Sequence, residues 1–300
     1  MSTQLSASPL SAMGAADTAA NPVTIQIRDL IYKVAGIFHV GTRLKFLEDR
    51  CGRRMQALNI ETLRQYYEML TIHPDRTTEL HNLLNEITIG ETCFFRNQPQ
   101  LDAFQKVVLP MIVANKANLP LKHIRIWSAG CSTGEEPYTL AMICLEEALT
   151  GVLKNYSFEV IATDLNDRSL ARAQEGLYSD YAVRNMPAYY KNKYIASTDG
   201  EHHVADAARA KVRFSRVNLL DDTRMLFMKG IDIIFCCNVL IYFDGASKRR
   251  VIQHYYNNLL PNSYLFLGHS ESLFGINSDF RLVHFPGATA YLKPAQKRTV

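Results

Sequence analysis

The stretch Ile124-Arg-Ile-Trp-Ser-Ala-Gly-Cys-Ser-Thr-Gly-Glu-Glu-Pro-Tyr-Thr-Leu-Ala-Met142 decides the fold of this 300-residue chain. It begins with apolar residues typical of a buried strand, passes through a turn of small residues and continues with a helical pattern. In an open parallel sheet, ligands bind at the carboxyl ends of the strands, where such turns bring bare backbone close to them. Gly130 and Gly134 permit that approach, although the G-x-x-x-G spacing is not the dinucleotide-binding G-x-G-x-x-G.

After Pro99, helical segments alternate with short strand-like runs, which predicts an α/β domain with a parallel sheet and crossover helices. A final pair of strands, joined by Pro-Gly-Ala, is predicted to form an antiparallel hairpin at the sheet edge. The Tyr-rich segment of about residues 176–210 interrupts the alternation, and we interpret it as an inserted subdomain. The predicted strands are 124–128, 158–163, 212–217, 231–237, 264–267, 282–285 and 289–292.

The part of the chain before this domain has a different pattern. Residues 1–22 are rich in Ala, Ser and Thr and are predicted to be a disordered tail. In residues 23–90, apolar side chains recur at steps of three and four, which predicts a small all-helical domain. A connector, 91–99, joins it to the sheet domain, 100–295.

Composition describes an ordinary soluble chain, because 33 Lys and Arg against 29 Asp and Glu give a net charge of only +4. Six scattered cysteines without a C-x-x-C pair favour a reducing compartment, and no metal site is predicted. No apolar run is long enough to cross a bilayer, and residues 1–22 lack the basic and apolar parts of a signal peptide. We therefore expect a cytoplasmic protein that does not insert into membranes, and nothing in the sequence demands more than a monomer.

Polar residues follow four of the predicted strands: Glu136, Asp164, Asn218 and Asn238. An acid after the second strand is suited to accept both ribose hydroxyls of a nucleoside, and an amide beside an apolar residue suits an adenine. Each residue also has a structural alternative: a charge at a helix N-terminus, a helix cap, or a loop asparagine. Together they predict a nucleoside cofactor across the strand ends.

The position of Glu136 has a specific alternative, since Thr133-Gly-Glu-Glu136 fits a capping box. Pro137 argues against it: a proline has no N–H, so the first paired helical amide should lie beyond it. The helix cap is then Gly134 or later, and Glu136 is left for another role.

With these runs in place, the chain resembles the CheR chemotaxis protein methyltransferases over roughly residues 25–292. The resemblance implies a Rossmann-like S-adenosylmethionine-dependent methyltransferase fold, with an N-terminal all-helical domain and a small inserted β-subdomain. It also implies methyl transfer to glutamate side chains of chemoreceptor cytoplasmic helices, for sensory adaptation, and in some members docking of a receptor C-terminal peptide on the insert. The matching motifs are 86–96 (EITIGETCFFR), 129–138 (AGCSTGEEPY), 161–164 (IATD), 217–220 (VNLL), 237–243 (CNVLIYF) and 267–272 (LGHSES).

Carried onto matching positions, the resemblance implies a set of cofactor contacts and a catalytic pair. Arg96 is implied either at the carboxylate of the cofactor or at the incoming glutamate. Tyr242 is implied near the methyl group; otherwise it is a half-buried aromatic residue. Where the family often has Asn, this chain has Gly90. The implied cofactor-binding residues, with Gly130 from the turn, are Thr92, Arg96, Ala129, Gly130, Glu136, Asp164, Asn218, Leu219, Asn238 and Val239.

Four arginines of the helical domain, Arg43, Arg50, Arg53 and Arg54, are spaced to lie beside its apolar face. They form either an ordinary solvated face or a basic surface that steers acidic receptor helices. The alternative overall is a methyltransferase of a small molecule or nucleic acid. The chain lacks the Asn/Asp-Pro-Pro-Tyr/Phe motif of amino-methylating enzymes, so we predict no nucleic-acid substrate.

Overall fold

The computed structural model describes residues 21–88 and 90–295, which form two compact units. The first unit extends through Ile89 and also includes Tyr242–Lys248, and the second contains Gly90–Ile241 and the chain from Arg249 onward. The division after residue 89 lies next to the predicted end of the helical domain. The later segment was expected in the sheet domain and instead groups with the helices.

Four helices build the first unit, as the apolar periodicity predicts. Their buried face includes Ile31, Leu47, Tyr66 and Leu83. The helices are α1 (Pro22–Ala35), α2 (Thr42–Leu58), α3 (Leu63–Thr71) and α4 (Arg76–Ile87).

The helical unit begins slightly earlier than predicted. The side chain of Asn21 accepts a hydrogen bond from the amide of Val23, and Pro22 is the first residue of α1. An Asn cap followed by Pro is a favourable helix start, because the cap satisfies an exposed amide and proline has no amide to satisfy. The predicted tail is therefore wrong at residues 21 and 22, and its residues 1–20 lie outside the described part.

An internal ion pair in the first unit corrects the interpretation of Arg54. Its guanidinium donates to both carboxylate oxygens of Glu79 at 2.9 and 2.7 Å, and the hydroxyl of Tyr66 donates to the same carboxylate at 2.8 Å. The side chains of Arg54 and Glu79 are only 12% and 2% exposed. Arg54 therefore stabilises the packing of α2 on α4 and is not part of an open basic surface.

The segment Tyr242–Lys248 contacts the end of α1 and the residues that follow it. The amide of Phe38 donates to the carbonyl of Tyr242 at 3.1 Å, and Ile37 forms an antiparallel bridge with Phe243. The hydroxyl of Tyr32 donates to the Asp244 carboxylate at 3.2 Å. These bonds join residues about two hundred positions apart within one unit.

The second unit contains a seven-stranded sheet of order β6-β2-β1-β7-β8-β10-β9 and a separate three-stranded sheet of order β3-β5-β4. In the large sheet, β6, β2, β1, β7 and β8 are parallel, while β10 pairs antiparallel with both β8 and β9. This confirms the predicted α/β fold with an antiparallel edge. The strands are β1 (His123–Ala129), β2 (Ser157–Asp164), β3 (Leu177–Tyr178), β4 (Ile195–Thr198), β5 (Glu201–Val204), β6 (Val212–Arg216), β7 (Ile231–Cys236), β8 (Leu259–Leu267), β9 (Arg281–Phe285) and β10 (Ala288–Lys293).

Helices cover this sheet and lead out of its strand ends. A π-helical turn, Phe104–Val108, joins the first two helices of the unit. The helices are α5 (Gln98–Ala103), α6 (Leu109–Lys116), α7 (Glu135–Thr150), α8 (Asp167–Glu175), α9 (Asp180–Val183), α10 (Ala188–Tyr194), α11 (Asp206–Arg209), α12 (Asp222–Met225) and α13 (Gly245–Asn258).

The predicted insert is the small sheet with its short helices. Asp199 and Gly200 join β4 to β5 with φ angles of 50° and 81°, the pattern of a tight hairpin turn. On α7, Glu146 accepts hydrogen bonds from Tyr189 and Lys193 at 2.6 and 3.0 Å, which fixes α10 against the large domain. Among the helices of the described residues, none has the length and apolar character required to span a membrane.

Candidate active site

The turn after β1 is held against the end of β2. The amides of Gly130 and Cys131 donate to the carbonyl of Thr163 at 2.7 and 2.9 Å. The amide of Ser132 donates to the Asp164 carboxylate at 2.8 Å, and Ser132 has a φ of 49°. A left-handed residue in a turn that three hydrogen bonds fix indicates a shape imposed by tertiary structure and typical of ligand-binding loops.

The two glycines of this turn have roles other than the predicted open approach. A Cβ on Gly130 would lie 2.3 Å from a methyl of Val239, and a Cβ on Gly134 would lie 2.8 Å from the Cβ of Ala173 in α8. Their φ angles are 82° and 95°, which favour glycine in any case. Gly130 therefore lets Val239 approach the turn, and Gly134 lets α8 pack closely.

Asp164 ends β2 and accepts backbone hydrogen bonds on both oxygens. Oδ2 takes the amide of Ser132 and Oδ1 that of Asn166, each at 2.8 Å. The cap of α8 is Asn166, whose side chain accepts the amide of Ser169, so the alternative role of Asp164 as a helix cap does not hold. Burial raises the pKa of the Asp164 carboxyl, although the backbone donors act against this. A carboxylate has about four acceptor positions, so Asp164 retains capacity for a ligand.

Glu136 is the second residue of α7, and the cap is Gly134, as Pro137 predicts. The hydroxyl of Ser128 donates to its Oε1 at 2.7 Å. Burial raises the pKa of the Glu136 carboxyl and the charge of Glu271 acts in the same direction, whereas hydrogen bonds from Ser128 and Cys237 and the charge of Arg96 act against it. The carboxylate thus lies at the carboxyl end of β1, between groups from other strand ends.

Asn218 follows β6, and its side-chain oxygen accepts the amide of Leu220 at 3.1 Å. The preceding amide, of Val217, donates to the carbonyl of Asp164 at 3.0 Å, which joins the ends of β6 and β2. Leu219 is buried. The loop function that was the alternative for Asn218 is therefore present, and it keeps the segment beside Asp164.

Asn238 lies just beyond β7 and adopts a left-handed backbone, with a φ of 63°. Its amide donates to the carboxylate of Glu271 at 2.8 Å. The next residue, Val239, contacts the space above Gly130. The ends of β1 and β7 therefore meet at this edge of the sheet.

The connector carries Thr92 and Arg96 along the same unit. The amide of Phe95 donates to the hydroxyl of Thr139 in α7 at 3.2 Å, and the amide of Phe94 donates to the carbonyl of Ala182 in the insert at 2.9 Å. Arg96 is exposed and donates to the carbonyl of Glu91 at 2.6 Å. Its charge lowers the pKa of Glu136, so the connector brings a cation toward the predicted site.

Gly90 is where the chain departs from the CheR pattern, and the structure shows what fills the space. A Cβ at residue 90 would lie 2.1 Å from the hydroxyl oxygen of Ser132. That oxygen is buried and has no hydrogen-bond partner in the described part of the chain. The hydroxyl of Ser132 thus stands beside the backbone of residue 90, where family members often have an Asn side chain.

A second buried atom without a partner among the residues described, Oε1 of Glu271, lies at the same edge. Buried polar atoms are normally hydrogen-bonded, and exceptions point to a ligand or to water. The two orphan atoms, with the carboxylates of Asp164 and Glu136, suit a ligand that presents hydroxyl and ammonium donors, as S-adenosylmethionine does. Sequence reasoning missed Ser132 and Glu271; applying the strand-end argument to β8 would have found Glu271.

The cysteines at this edge are packing residues, as expected. Burial raises the pKa values of Cys131, Cys236 and Cys237 well above the ordinary thiol range, so all three are neutral near pH 7. Neutral, enclosed thiols are poor nucleophiles.

The second unit brings together ten of the predicted cofactor-binding residues or their loops. The other predicted residues, Tyr242 and the four arginines, belong to the first unit. Tyr242 ends a 3₁₀ turn, Leu240–Tyr242, and is half-buried. Its catalytic role stays a prediction.

Comparison with known families decides the identity of the two units. The model described as "CheR methyltransferase, SAM binding domain" matches residues 90–288, and "CheR methyltransferase, all-alpha domain" matches residues 25–88. The chain belongs to the CheR methyltransferase family. S-adenosylmethionine is accordingly its cofactor, and this CheR chain is an S-adenosylmethionine-dependent methyltransferase.

Similar CheR proteins cover most of the chain. Chemotaxis protein methyltransferase 2 of Vibrio cholerae is 36% identical over 90% of this chain and 92% of its own length. The chemotaxis protein methyltransferase of Borreliella burgdorferi is 32% identical over 82% of this chain and 86% of its own. Among solved structures, magnesium protoporphyrin IX methyltransferase of Synechocystis, with bound SAM, aligns over 91% of this chain and 96% of its own at 14% identity and a TM-score of 0.29, and no argument rests on it.

Acidification should weaken cofactor binding at a higher pH than an ordinary carboxyl group would require. Burial raises the pKa values of Asp164 and Glu136, so both lose their charge earlier as the pH falls. Without that charge they accept weaker hydrogen bonds from hydroxyl and ammonium donors. Calorimetry with S-adenosylhomocysteine from neutral pH downward measures the effect.

The same shift has the opposite sign for stability. A raised pKa means that the folded protein binds the proton before the unfolded chain does, so these carboxyls cost stability at neutral pH and cost less as the pH falls through their raised pKa values. Glu136→Gln should therefore raise the melting temperature of the unliganded protein at neutral pH, with a gain that shrinks on acidification. An equal gain at every pH would contradict this.

Proposed function

We propose that this chain transfers the methyl group of S-adenosylmethionine to glutamate side-chain carboxylates of chemoreceptors, giving glutamate methyl ester and S-adenosylhomocysteine. The observation that carries the proposal is the meeting of the ends of β1, β2, β6 and β7, with Glu136 and Asp164 among them, in a chain of the CheR family. The relatives with high coverage are chemotaxis protein methyltransferases, which supports a receptor as the acceptor.

The strand-end residues have distinct roles in holding the cofactor. Asp164 accepts the ribose hydroxyls, and Asn218 with Leu219 and Asn238 with Val239 enclose the adenine by an amide and an apolar surface. Glu136 accepts the ammonium group of the methionine part. Ala129 and Gly130 supply the backbone of the turn, and Thr92 and Arg96 close it from the connector.

The acceptor chemistry requires no general base from the protein. A glutamate side chain has an ordinary pKa near 4.3, so it is already an anion at neutral pH. The bound cofactor supplies an activated methyl group on a sulfonium. The chain then has to align the carboxylate within about 3 to 3.5 Å of that methyl and exclude water from it, which is catalysis by orientation.

Arg96 and Tyr242 are the residues that we propose nearest to this alignment. A guanidinium binds a carboxylate through two parallel hydrogen bonds, so Arg96 suits either the cofactor carboxylate or the incoming glutamate. The exposure of Arg96 and its effect on the pKa of Glu136 support a place at the mouth of the site. The Tyr242 hydroxyl donates a hydrogen bond that orients the acceptor.

The test is transfer of labelled methyl from S-adenosylmethionine to a receptor cytoplasmic fragment, followed by mild alkali. Label released as methanol establishes a carboxyl methyl ester. Label that withstands alkali means methylation at nitrogen or another atom and overturns the glutamate assignment. The alternative, a small molecule or nucleic acid as acceptor, predicts no transfer to any receptor fragment while the cofactor still binds.

The basic surface of α2 supports an approach by acidic receptor helices, and we propose Arg43, Arg50 and Arg53 as its members. Arg43 and Arg53 are exposed, while Arg50 is half-buried with its guanidinium 4.7 Å from the Phe46 ring centre. Arg54 is not included because it pairs with Glu79.

Reversing Arg43 and Arg53 together to Glu should lower the rate of receptor methylation about 10-fold at low salt, with little effect at high salt, because exposed charges act mainly on association and are screened. The affinity for S-adenosylhomocysteine should not change. Initial rates at several ionic strengths measure this.

Arg76→Glu is the matched control, since Arg76 is an exposed arginine at the start of α4. A rate that falls equally in the control, or that stays unchanged in the Arg43→Glu and Arg53→Glu double variant, would contradict the steering surface.

The remaining proposals follow the family. A cytoplasmic location and a monomeric state suit an enzyme that acts on receptor cytoplasmic helices. The small sheet of the insert, whose edge strand β4 has one paired neighbour in the sheet, is proposed to dock a receptor C-terminal peptide. Comparing methylation of receptor fragments with and without their C-terminal residues tests this.

A further inference from the structure

The loop after β8 carries a carboxylate that holds the neighbouring strand end. Oε2 of Glu271 accepts the amide of Asn238, just after β7, and the amide of Gly268, just after β8, both at 2.8 Å. Because β7 and β8 are parallel neighbours, their amides beyond the last pair are not satisfied by the sheet ladder. One oxygen of Glu271 therefore satisfies the first free donor of each strand.

Asn238 requires such support. Its φ of 63° places it in the left-handed region, which costs a non-glycine residue free energy and persists only where surrounding contacts impose it. The described contact of its amide is the Glu271 carboxylate. Asn238 and its neighbour Val239 are proposed cofactor contacts, so their backbone shape determines what they present to the ligand.

Gly268 makes this contact possible. A Cβ there would lie 2.8 Å from the amide nitrogen of Asn238 and 2.8 Å from Oε2 of Glu271. Distances under 3.0 Å require something to move, and here the obstacle includes backbone. Any side chain at residue 268 would push the carboxylate and the Asn238 amide apart.

Glu271 is itself fixed within a short turn. Its amide donates to the carbonyl of Gly268 at 2.9 Å, and the amide of Leu273 donates to the hydroxyl of Tyr291 in β10 at 3.1 Å. Leu273 is buried. The carboxylate thus rests on a base tied to two strands and does not depend on a mobile loop.

We propose that Glu271 is a positioning residue of the cofactor site, which holds Asn238 and Val239 in their binding shape through the shared Oε2. This inference rests on the proposed cofactor contacts of those two residues. A hydrogen bond from a neutral amide to a charged acceptor is stronger than one between neutral groups, which suits a carboxylate to a strained backbone. The role needs an acceptor oxygen and not the second oxygen, so glutamine should replace most of it.

The test compares Glu271→Ala with Glu271→Gln by calorimetry with S-adenosylhomocysteine, which needs no methyl acceptor. Glu271→Ala should bind about 10- to 50-fold more weakly, as expected for loss of hydrogen bonds to a charged group. Glu271→Gln should stay within about threefold of the unaltered protein, because its amide oxygen accepts the same two donors. In steady-state assays, Glu271→Ala should raise the KM for S-adenosylmethionine more than it lowers kcat.

Gly268→Ala perturbs the same contact from the other side and should reproduce the weaker binding while Glu271 is still present. Glu201→Ala, at an exposed position of β5, is the control and should bind normally. Unchanged affinity in Glu271→Ala would overturn the proposal, and so would equal losses in the Ala and Gln variants, which would indicate a direct contact of the charge with the ligand. If Glu271→Ala does not fold, Gly268→Ala and Glu271→Gln decide. Failure of the proposed function appears separately, as absent methanol release by protein that binds the cofactor normally.

Discussion

Asp164→Ala is expected to lower the affinity for S-adenosylhomocysteine by at least about 100-fold, since hydrogen bonds to a charged acceptor contribute about 1.5–3 kcal/mol each and a ribose offers two. The variant also removes the acceptor of the Ser132 amide, so the turn after β1 loses its link to β2. Calorimetry measures the affinity, and release of labelled methanol measures transfer.

Asp206→Ala is the matched control, because Asp206 is almost fully exposed and pairs only with the nearby Arg209 among the printed ion pairs of the described chain. It should bind and transfer normally. Asp164→Asn should lie between the two, since its amide oxygen still accepts a donor while the charge is lost. Affinity in Asp164→Ala within threefold of normal would remove Asp164 from the cofactor site.

Arg54→Ala is expected to destabilise the helical unit by about 3–5 kcal/mol, the typical effect of removing one partner of a buried ion pair. Glu79 would remain 2% exposed without its bidentate partner, keeping only the hydroxyl of Tyr66 and the amide of Asn82 as side-chain donors. Urea unfolding followed by circular dichroism measures the change, and hydrogen exchange of α2 and α4 amides assigns it to this unit.

Arg53→Ala, one residue away and exposed, should stay within about 0.5 kcal/mol of the unaltered protein, as most surface substitutions do. If both variants unfolded at the same urea concentration, the Arg54–Glu79 pair would not be the stabilising contact that its burial indicates.

Much of the fold was predictable because it depends on local patterns. Each predicted strand of the large sheet is present, with ends that differ by a few residues, since apolar runs between helices leave few alternatives. The absence of an amide on Pro137 correctly predicted a cap at Gly134. Asp164 was predictable for a similar reason: Asn166 was available as the cap of α8, and the structure uses it.

The remainder depends on contacts between distant residues, which a single sequence does not reveal. Spacing placed Arg54 beside the apolar face of α2 but gave no sign of Glu79, 25 residues later. Gly134 fits the pattern of an open ligand turn equally well whether its missing Cβ makes room for a cofactor or for Ala173. Glu271 was within a recognised motif, yet its role depends on the register of β7 and β8.

The return of Tyr242–Lys248 to the helical unit has a consequence for synthesis of the chain. The four helices are complete once residue 88 has been made, but their contacts at Ile37, Phe38 and Tyr32 wait for residues 242–244. At about 5–20 residues per second, that delay is about 8 to 30 s. The unit that is translated first is therefore among the last to be finished, and a fragment that ends at residue 88 lacks these contacts permanently.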